Sequence, residues 1–159
     1  MSTEYNRGVQ GSHWGPVGRR ERLGRKGEGL VKKEEVSKSI LVIDDETEFV
    51  NAVRYILEDR GFVVFGAHSA SDAKEMLETI RPDLMLVDIM MPKTDGLTLI
   101  RELSAEPAWQ HSPMVVVSAL NQDHDKIAAC QAGARGYLSK PFTSAALLGV
   151  VGDLLAPAA

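Results

Sequence analysis

The chain has 159 residues, of which 44% are hydrophobic and 25% charged, and this is enough apolar material for the core of one domain. Its single cysteine excludes an intrachain disulfide and suits a reducing cytoplasm, and no apolar run is long enough to cross a bilayer. Residues 1–38 carry nine basic and five acidic side chains whereas residues 39–159 carry nine and seventeen, so we expect a cytoplasmic protein whose acidic part binds neither nucleic acid nor a membrane.

Residues 1–38 show no apolar periodicity and contain frequent glycines and mixed charges, so we predict a disordered, weakly basic extension. No apolar segment follows the basic residues, which excludes a secretory signal peptide. The run Val31-Lys32-Lys33-Glu34 leads directly into the first predicted strand and resembles a protein start at a GTG codon. We hypothesise that translation begins at or near Val31, and the intact mass of the native protein would decide this.

From Ser39 onward, five short apolar runs alternate with five amphipathic segments. The predicted strands are residues 40–43, 62–66, 84–87, 114–117 and 136–138. The predicted helices are residues 46–59, a segment between Ser69 or Ser71 and Pro82, a segment opened by Asp95-Gly96, residues 123–132 and residues 144–155. Continuous apolar strands separated by helices are typical of a buried parallel sheet. We predict a doubly wound α/β sandwich over residues 39–156 with flavodoxin-like strand order, followed by a tail at 157–159.

The spacing of apolar residues predicts which face of each helix is buried. The expected stripes are Phe49, Val53, Ile56 and Leu57; Ala73, Met76, Leu77 and Ile80; Leu97, Ile100 and Leu103; and Leu147, Leu148, Val151, Leu154 and Leu155. The fourth helix is the least hydrophobic of the five.

Polar side chains follow four of the predicted strands at the point where each strand ends. Asp44 and Asp45 follow the first strand, Asp88 the third, Ser118 the fourth and Lys140 the fifth. Ligands of parallel α/β sheets bind outside the carboxyl ends of the strands, so these groups should converge. Carboxylates that are crowded together require a cation, and an all-oxygen cluster suits Mg²⁺.

The same residues lie within motifs that together resemble the receiver domain of bacterial two-component response regulators, of the stand-alone type that regulates chemotaxis. The motifs are Leu41-Val42-Ile43-Asp44-Asp45-Glu46, Leu86-Val87-Asp88-Ile89-Met90-Met91-Pro92 with Asp95-Gly96, Val117-Ser118-Ala119, and Gly133-Ala134 with Tyr137-Leu138-Ser139-Lys140-Pro141-Phe142. Each motif alone is weak, but all of them in this order are highly specific. The resemblance implies phosphoryl transfer to an aspartate from a phosphohistidine on a sensor histidine kinase or a phosphotransfer protein.

The resemblance also assigns a role to each candidate site residue. Asp88 is the implied nucleophile and phosphoacceptor. Lys140, next to a cis bond with Pro141, pairs with Asp88 and then neutralises a phosphoryl oxygen. The implied ligands of Mg²⁺ are Asp44, Asp45, Asp88 and the backbone carbonyl of Met90. Simpler alternatives are a helix cap for one of the first two aspartates and a solvated surface position for the lysine.

Ser118 and Tyr137 are the implied switch residues, of which Ser118 moves toward the phosphate and Tyr137 turns inward in the active state. An ordinary half-buried strand aromatic is the alternative for Tyr137. The implied output surface is the face of the fourth helix, fifth strand and fifth helix, which could equally be plain polar surface. Its residues include Asp123, His124, Asp125, Lys126, Gln131 and Arg135.

Two apolar residues bear on the lifetime of the phosphoryl group. Met90 and Leu120 lie two residues beyond Asp88 and Ser118, at positions that border the path of the hydrolytic water in this family. Neither side chain can orient water, so we expect a phosphoacceptor protein with at most slow self-dephosphorylation rather than an enzyme.

The chain ends at Ala159, just past the fifth helix, so we expect no output domain and signalling by contact with another protein. One alternative is a receiver-like scaffold that acts unphosphorylated. An aspartyl-phosphate hydrolase of the haloacid dehalogenase type would need a second carboxylate where Met90 stands. A nucleotide- or flavin-binding protein would need a glycine-rich loop after the first strand, and the basic extension could bind nucleic acid or a membrane.

Overall fold

A computed structural model of the chain describes residues 23–24, 31–32 and 36–156. In these ranges five strands form one parallel sheet: β1 Ser39–Ile43, β2 Val63–Ala67, β3 Leu84–Val87, β4 Met114–Ser118 and β5 Gly136–Ser139. Their spatial order is β2-β1-β3-β4-β5. The predicted doubly wound α/β fold with flavodoxin-like strand order is confirmed.

Five helices alternate with these strands: α1 Thr47–Glu58, α2 Ala70–Leu77, α3 Gly96–Ala105, α4 Asp123–Ala132 and α5 Ser144–Leu155. The predicted bounds of the last two helices are confirmed, and Ser69 is the residue that caps α2. The prediction that α2 continues toward Pro82 was wrong. The helix ends at Leu77. The Arg81 guanidinium donates hydrogen bonds to the carbonyl of Leu77, at the helix end, and to that of Ile80 beyond it.

The core has two layers, one on each face of the sheet, because successive side chains of a strand point to opposite faces. Leu41, Ile43, Met85 and Val87 pack against α2, α3 and α4, whereas the alternate residues of the same strands pack against α1 and α5. Strands β1 and β3 are therefore buried on both sides, which explains their continuous apolar runs.

The predicted stripes needed correction in four helices. In α5 only Leu147 and Val151 are fully buried, and the other predicted members, Leu148, Leu154 and Leu155, are partly exposed. In α1 the buried residues are Val50, Val53 and Leu57, while Phe49 and Ile56 pack against the core only in part. Met76 of α2, Ile80 beyond its end and Leu97 of α3 are likewise only partly buried. Residues at the edge of a stripe lie where the helix surface curves away from the sheet, and periodicity alone does not locate that edge.

The predicted disorder of residues 1–38 falls mostly outside the described residues. Within that segment, Leu23–Gly24 and Val31–Lys32 are two-residue strands that pair antiparallel, so the prediction of disorder was wrong for these residues. The tail at 157–159 also lies outside the described ranges. Among the described helices, none has both the length and the apolar character needed to span a membrane.

Candidate functional site

Three carboxylates meet at the edge of the sheet where the strands end, which we call the carboxyl edge. Asp44 and Asp45 follow β1 and Asp88 follows β3, and the two strands are neighbours that pair Ile43 with Val87. Carboxylate oxygens of the three residues all lie within 4.8 Å of one another. Asp44 and Asp88 are only 1% and 5% exposed, whereas Asp45 faces solvent. The structure therefore brings together the three carboxylates that were predicted as metal ligands.

Backbone hydrogen bonds hold the two buried carboxylates in place. The amide of Glu46 donates to Oδ1 of Asp44, and the amide of Met90 donates to Oδ1 of Asp88, each at 2.9 Å. In both loops an aspartate side chain accepts from the residue two positions later, a common turn geometry. These bonds engage one oxygen of each carboxylate and direct the other, Oδ2, toward the same space.

A close backbone approach positions the loop that follows β3. A Cβ atom placed on Gly96 would lie 2.1 Å from the backbone oxygen of Asp88, so only glycine fits there. The preceding residue, Asp95, caps α3 by accepting from the amide of Thr98, as expected. The start of α3 therefore lies directly against the backbone of the predicted phosphoacceptor.

Lys140 supplies the positive charge of the site. Its Nζ donates to Oδ2 of Asp44 at 2.8 Å and lies 3.6 Å from Oδ2 of Asp88. We expected Asp88 to be its partner, and the geometry instead makes Asp44 the closer of the two. The lysine side chain is only 17% exposed, which contradicts the solvated alternative, and the Lys140–Pro141 bond is cis, as the resemblance implied.

The site carries more negative than positive charge, and this shows in its pKa values. Burial raises the pKa of Asp88, and the charges of Asp44 and Asp45 raise it further, against the opposing effects of the Met90 amide and Lys140. Burial lowers the pKa of Lys140, but its hydrogen bond to Asp44 and the nearby carboxylates outweigh burial and raise it. Three hard oxygen donors with one ammonium between them are a donor set that fits a divalent cation.

The two predicted switch residues hold the same neighbour. Ser118 is fully buried at the end of β4, and its Oγ accepts from the amide of Leu120 at 3.2 Å. Tyr137 lies on the adjacent strand β5, and its hydroxyl donates to the carbonyl of Leu120 at 2.6 Å. Burial raises the pKa of Tyr137, and the charge of Asp125 in α4 adds to this. The backbone of Leu120 is thus held by both switch residues, through its amide by Ser118 and through its carbonyl by Tyr137.

Two side chains near the site were missed as functional candidates. Phe49 was predicted only as a core residue, yet the centre of its ring lies 3.9 Å from Nζ of Lys140. Its position in the first turn of the helix that follows Asp44 and Asp45 could have indicated this. His68 follows β2 at the carboxyl edge, and its Nδ1 lies 3.2 Å from the backbone oxygen of Asp44. The rule that placed the aspartates at strand ends would also have found this histidine.

Most of the remaining predicted residues are exposed. Met90 and Leu120 are 56% and 38% exposed, on the loops that follow β3 and β4. Most residues named for the predicted output surface are exposed, but the side chain of Asp125 is only 12% exposed. An exposed apolar residue of α4, Ile127, also lies there and was not predicted. The role of this output surface in contacts with a partner stays a prediction.

Comparisons with known proteins agree on one family. The family described as "Response regulator receiver domain" matches residues 40–151. The alkaline phosphatase synthesis transcriptional regulatory protein PhoP of Bacillus subtilis is 34% identical over 108 residues, 68% of this chain and 44% of that protein. The KDP operon transcriptional regulatory protein KdpE of Escherichia coli is 38% identical over 104 residues, 65% of this chain and 45% of that protein. The chain thus spans about half the length of these two curated relatives.

A solved structure gives the same result for the fold. The crystal structure of the BeF3-activated N-terminal receiver domain of Klebsiella pneumoniae RstA superposes with a TM-score of 0.71 at 30% identity. The match covers 76% of this chain and 100% of that domain.

Proposed function

The chain belongs to the response regulator receiver domain family, and on that premise we propose that it is a phosphorylation-controlled switch whose phosphoacceptor is Asp88. The observation that carries this proposal is the convergence of Asp44, Asp45, Asp88 and Lys140 at one edge of the sheet. We further propose that the phosphoryl group comes from a phosphohistidine on a sensor histidine kinase or a phosphotransfer protein, in the cytoplasm.

In the proposed reaction, a carboxylate oxygen of Asp88 attacks phosphorus. The bond between phosphorus and the donor nitrogen breaks, the imidazole leaves, and an acyl phosphate forms. Oδ2 is the available nucleophile, because Oδ1 already accepts from the Met90 amide. The Lys140 ammonium, 3.6 Å from Oδ2, neutralises charge on the transferred group.

Mg²⁺ is the cofactor that the proposal requires. Asp44, Asp45, Asp88 and the backbone carbonyl of Met90 would hold it, and three carboxylate oxygens within 4.8 Å support that assignment. When bound, the ion supplies positive charge to the phosphoryl oxygens.

The switch would work through Leu120. A phosphoryl oxygen on Asp88 is a stronger acceptor for the Ser118 hydroxyl than any neutral group, and a shift of Ser118 would disturb its bond to the Leu120 amide. Since Tyr137 holds the carbonyl of the same residue, the disturbance reaches β5 and the α4-β5-α5 surface. We propose that this surface binds a downstream protein, with the two packings related by a population shift.

The proposal includes a long-lived phosphoryl group. The side chains of Met90 and Leu120 lie on the loops that border the site and offer no group that could orient water or accept its proton. Self-dephosphorylation should therefore be slow.

The deciding experiment is phosphorylation with acetyl phosphate and Mg²⁺, followed by intact mass. We expect one phosphoryl group on the wild type, none on Asp88→Asn, and none when EDTA removes the metal. Asp153→Asn, which changes an exposed aspartate of α5, is the matched control and should behave as the wild type. A folded wild type that takes no phosphoryl group would refute the proposal and favour a scaffold that acts unphosphorylated.

A further inference from the structure

The ring of Phe49 is in contact with the ammonium of Lys140. Phe49 lies in the first turn of α1, and its ring centroid is 3.9 Å from Nζ. A cation over an aromatic face at this distance is attracted by the ring quadrupole, and the attraction is stronger where water is largely excluded. The lysine side chain is only 17% exposed, so this contact is made in such an environment.

A second aromatic ring braces the first. Phe142, two residues after Lys140, packs edge-to-face on Phe49 with ring centroids 5.9 Å apart and an interplanar angle of 87°. Both rings also pack, partly buried, against the core layer beneath α1 and α5. Edge-to-face pairs hold both rings in defined orientations, so the face that Phe49 presents to the lysine is fixed.

Three groups therefore surround the ammonium: Oδ2 of Asp44 at 2.8 Å, Oδ2 of Asp88 at 3.6 Å and the ring of Phe49 at 3.9 Å. A lysine has a flexible four-carbon stem, and its ammonium is a compact charge that many geometries could satisfy. The two carboxylates attract it, and the ring limits where it can go without offering a hydrogen bond that competes with a phosphoryl oxygen.

We propose that Phe49 is a positioning residue for Lys140, which holds the ammonium beside Asp88 so that it meets the phosphoryl group as that group arrives. The inference rests on the proposed function, because it assumes that Lys140 stabilises charge during phosphoryl transfer. The competing explanation is that Phe49 only fills space between α1 and α5.

The first test compares rates of phosphorylation by acetyl phosphate over a range of donor concentrations at saturating Mg²⁺. Phe49→Leu keeps an apolar side chain but removes the π face, and we expect the maximal rate to fall about fivefold with little change in the half-saturating donor concentration. Phe49→Tyr keeps the face and should retain most of the rate. Ile56→Val, another partly buried apolar residue of α1, is the control for packing and should match the wild type.

A second test asks whether the effect of Phe49→Leu requires Lys140, which distinguishes a positioning role of Phe49 from a packing role. In a Lys140→Met background, Phe49→Leu should produce no further loss, because the ammonium that Phe49 positions is gone. An equal loss in both backgrounds, or a folded Phe49→Leu protein with the wild-type rate, would overturn the inference.

A spectroscopic measurement tests the contact without donor or metal. The ε-methylene protons of Lys140, identified by their loss in Lys140→Met, should be shifted upfield by the ring current of Phe49. The shift should disappear in Phe49→Leu and persist in Phe49→Tyr. If the wild type takes no phosphoryl group at all, the proposed function fails, and this measurement still decides whether the ring holds the lysine; an unshifted resonance in the wild type would refute the contact.

Discussion

Two aspartates lie at the two ends of β3, and their surroundings shift their pKa values in opposite directions. Asp83 precedes the strand, at the edge of the sheet where the strands begin, and accepts from the Ser39 amide at 2.8 Å, the Ser39 hydroxyl at 3.2 Å and Nζ of Lys38 at 3.1 Å. Asp88 follows the strand at the carboxyl edge. Burial raises the pKa of both carboxyls, but at Asp83 these hydrogen bonds and the lysine charge prevail and lower it, whereas at Asp88 burial and like charges prevail and raise it.

The opposite pKa shifts of Asp83 and Asp88 indicate that the two edges of the sheet have different roles. The charge of Asp83 is matched within the protein by Lys38, and the carboxylate stabilises the fold. At Asp88 the fold collects charge that it does not neutralise, which is typical of a site prepared for a ligand. Changes at one edge should therefore alter stability alone, and changes at the other should alter chemistry and ion binding.

The largest expected effect is stabilisation by added Mg²⁺. Mg²⁺ at a hundred times its dissociation constant should stabilise the wild type by about 2.7 kcal/mol, because the ion binds only the folded site. Thermal unfolding with Mg²⁺ and with EDTA measures the difference. Asp45→Asn should lose most of it, whereas Asp83→Ala should keep it in full. Loss of the Mg²⁺ effect in Asp83→Ala would break the comparison between the two edges.

Removal of the other carboxylate should reduce stability without changing the chemistry. Asp83→Ala leaves the Ser39 amide without its acceptor, and we expect a loss of about 1.5 kcal/mol in urea unfolding at neutral pH. The exposed control Asp153→Ala should change the free energy of unfolding by less than about 0.5 kcal/mol. Both variants should accept a phosphoryl group from acetyl phosphate at the wild-type rate. A slower rate in Asp83→Ala would contradict a purely structural role of Asp83.

The contribution of Asp83 should also depend on pH in a defined direction. Its folded pKa lies below its unfolded pKa, so its stabilisation is fully present above the unfolded value of about 3.9 and is lost as the pH falls through the folded pKa. The gap in stability between wild type and Asp83→Ala should close at strongly acidic pH. A gap that stays constant to the lowest pH would show that the hydrogen bonds do not depend on ionisation.

The lifetime of the phosphoryl group tests whether Met90 and Leu120 at the carboxyl edge keep self-dephosphorylation slow. Met90→Asn combined with Leu120→Glu supplies groups that can orient water, and dephosphorylation should become about tenfold faster, equivalent to about 1.4 kcal/mol of barrier. Intact mass after removal of the donor follows the decay. A wild-type half-life of seconds, with little change in the double variant, would refute slow self-dephosphorylation.

The smallest expected effect is a gain in stability on removal of the charge of Asp88. Because the folded pKa of Asp88 is raised, its ionised form at neutral pH is unfavourable in the fold, and stability should improve as the pH falls through that pKa. Asp88→Asn in EDTA should therefore be more stable at pH 7 by about 0.5–1 kcal/mol. Lys140 retains Asp44 as a partner in this variant. The gain should vanish in acid. A variant that is less stable than the wild type at pH 7 would contradict the conclusion that the ionised carboxylate of Asp88 destabilises the fold.

Sequence periodicity was sufficient for the sheet and for most helix bounds, since apolar spacing reflects the face that each element buries. It failed where another contact decided the outcome. The guanidinium of Arg81 satisfies carbonyls at the end of α2, and the same side chain lies 4.8 Å above the ring of Trp109, a buried residue in the turn Pro107–Trp109 that no pattern had indicated. Such contacts join separate segments and leave no periodic trace.

By itself the sequence determined that Asp44, Asp45, Asp88, Ser118 and Lys140 would share one edge, because each follows a strand of a parallel sheet and the carboxyl ends of such strands coincide. Only the tertiary structure decided how these groups pair. The preference of Lys140 for Asp44, 96 positions away in the chain, and its contact with the ring of Phe49 depend on distances of a few ångströms between side chains. The direction of the Asp88 pKa shift likewise results from burial and from charges that only the fold brings close.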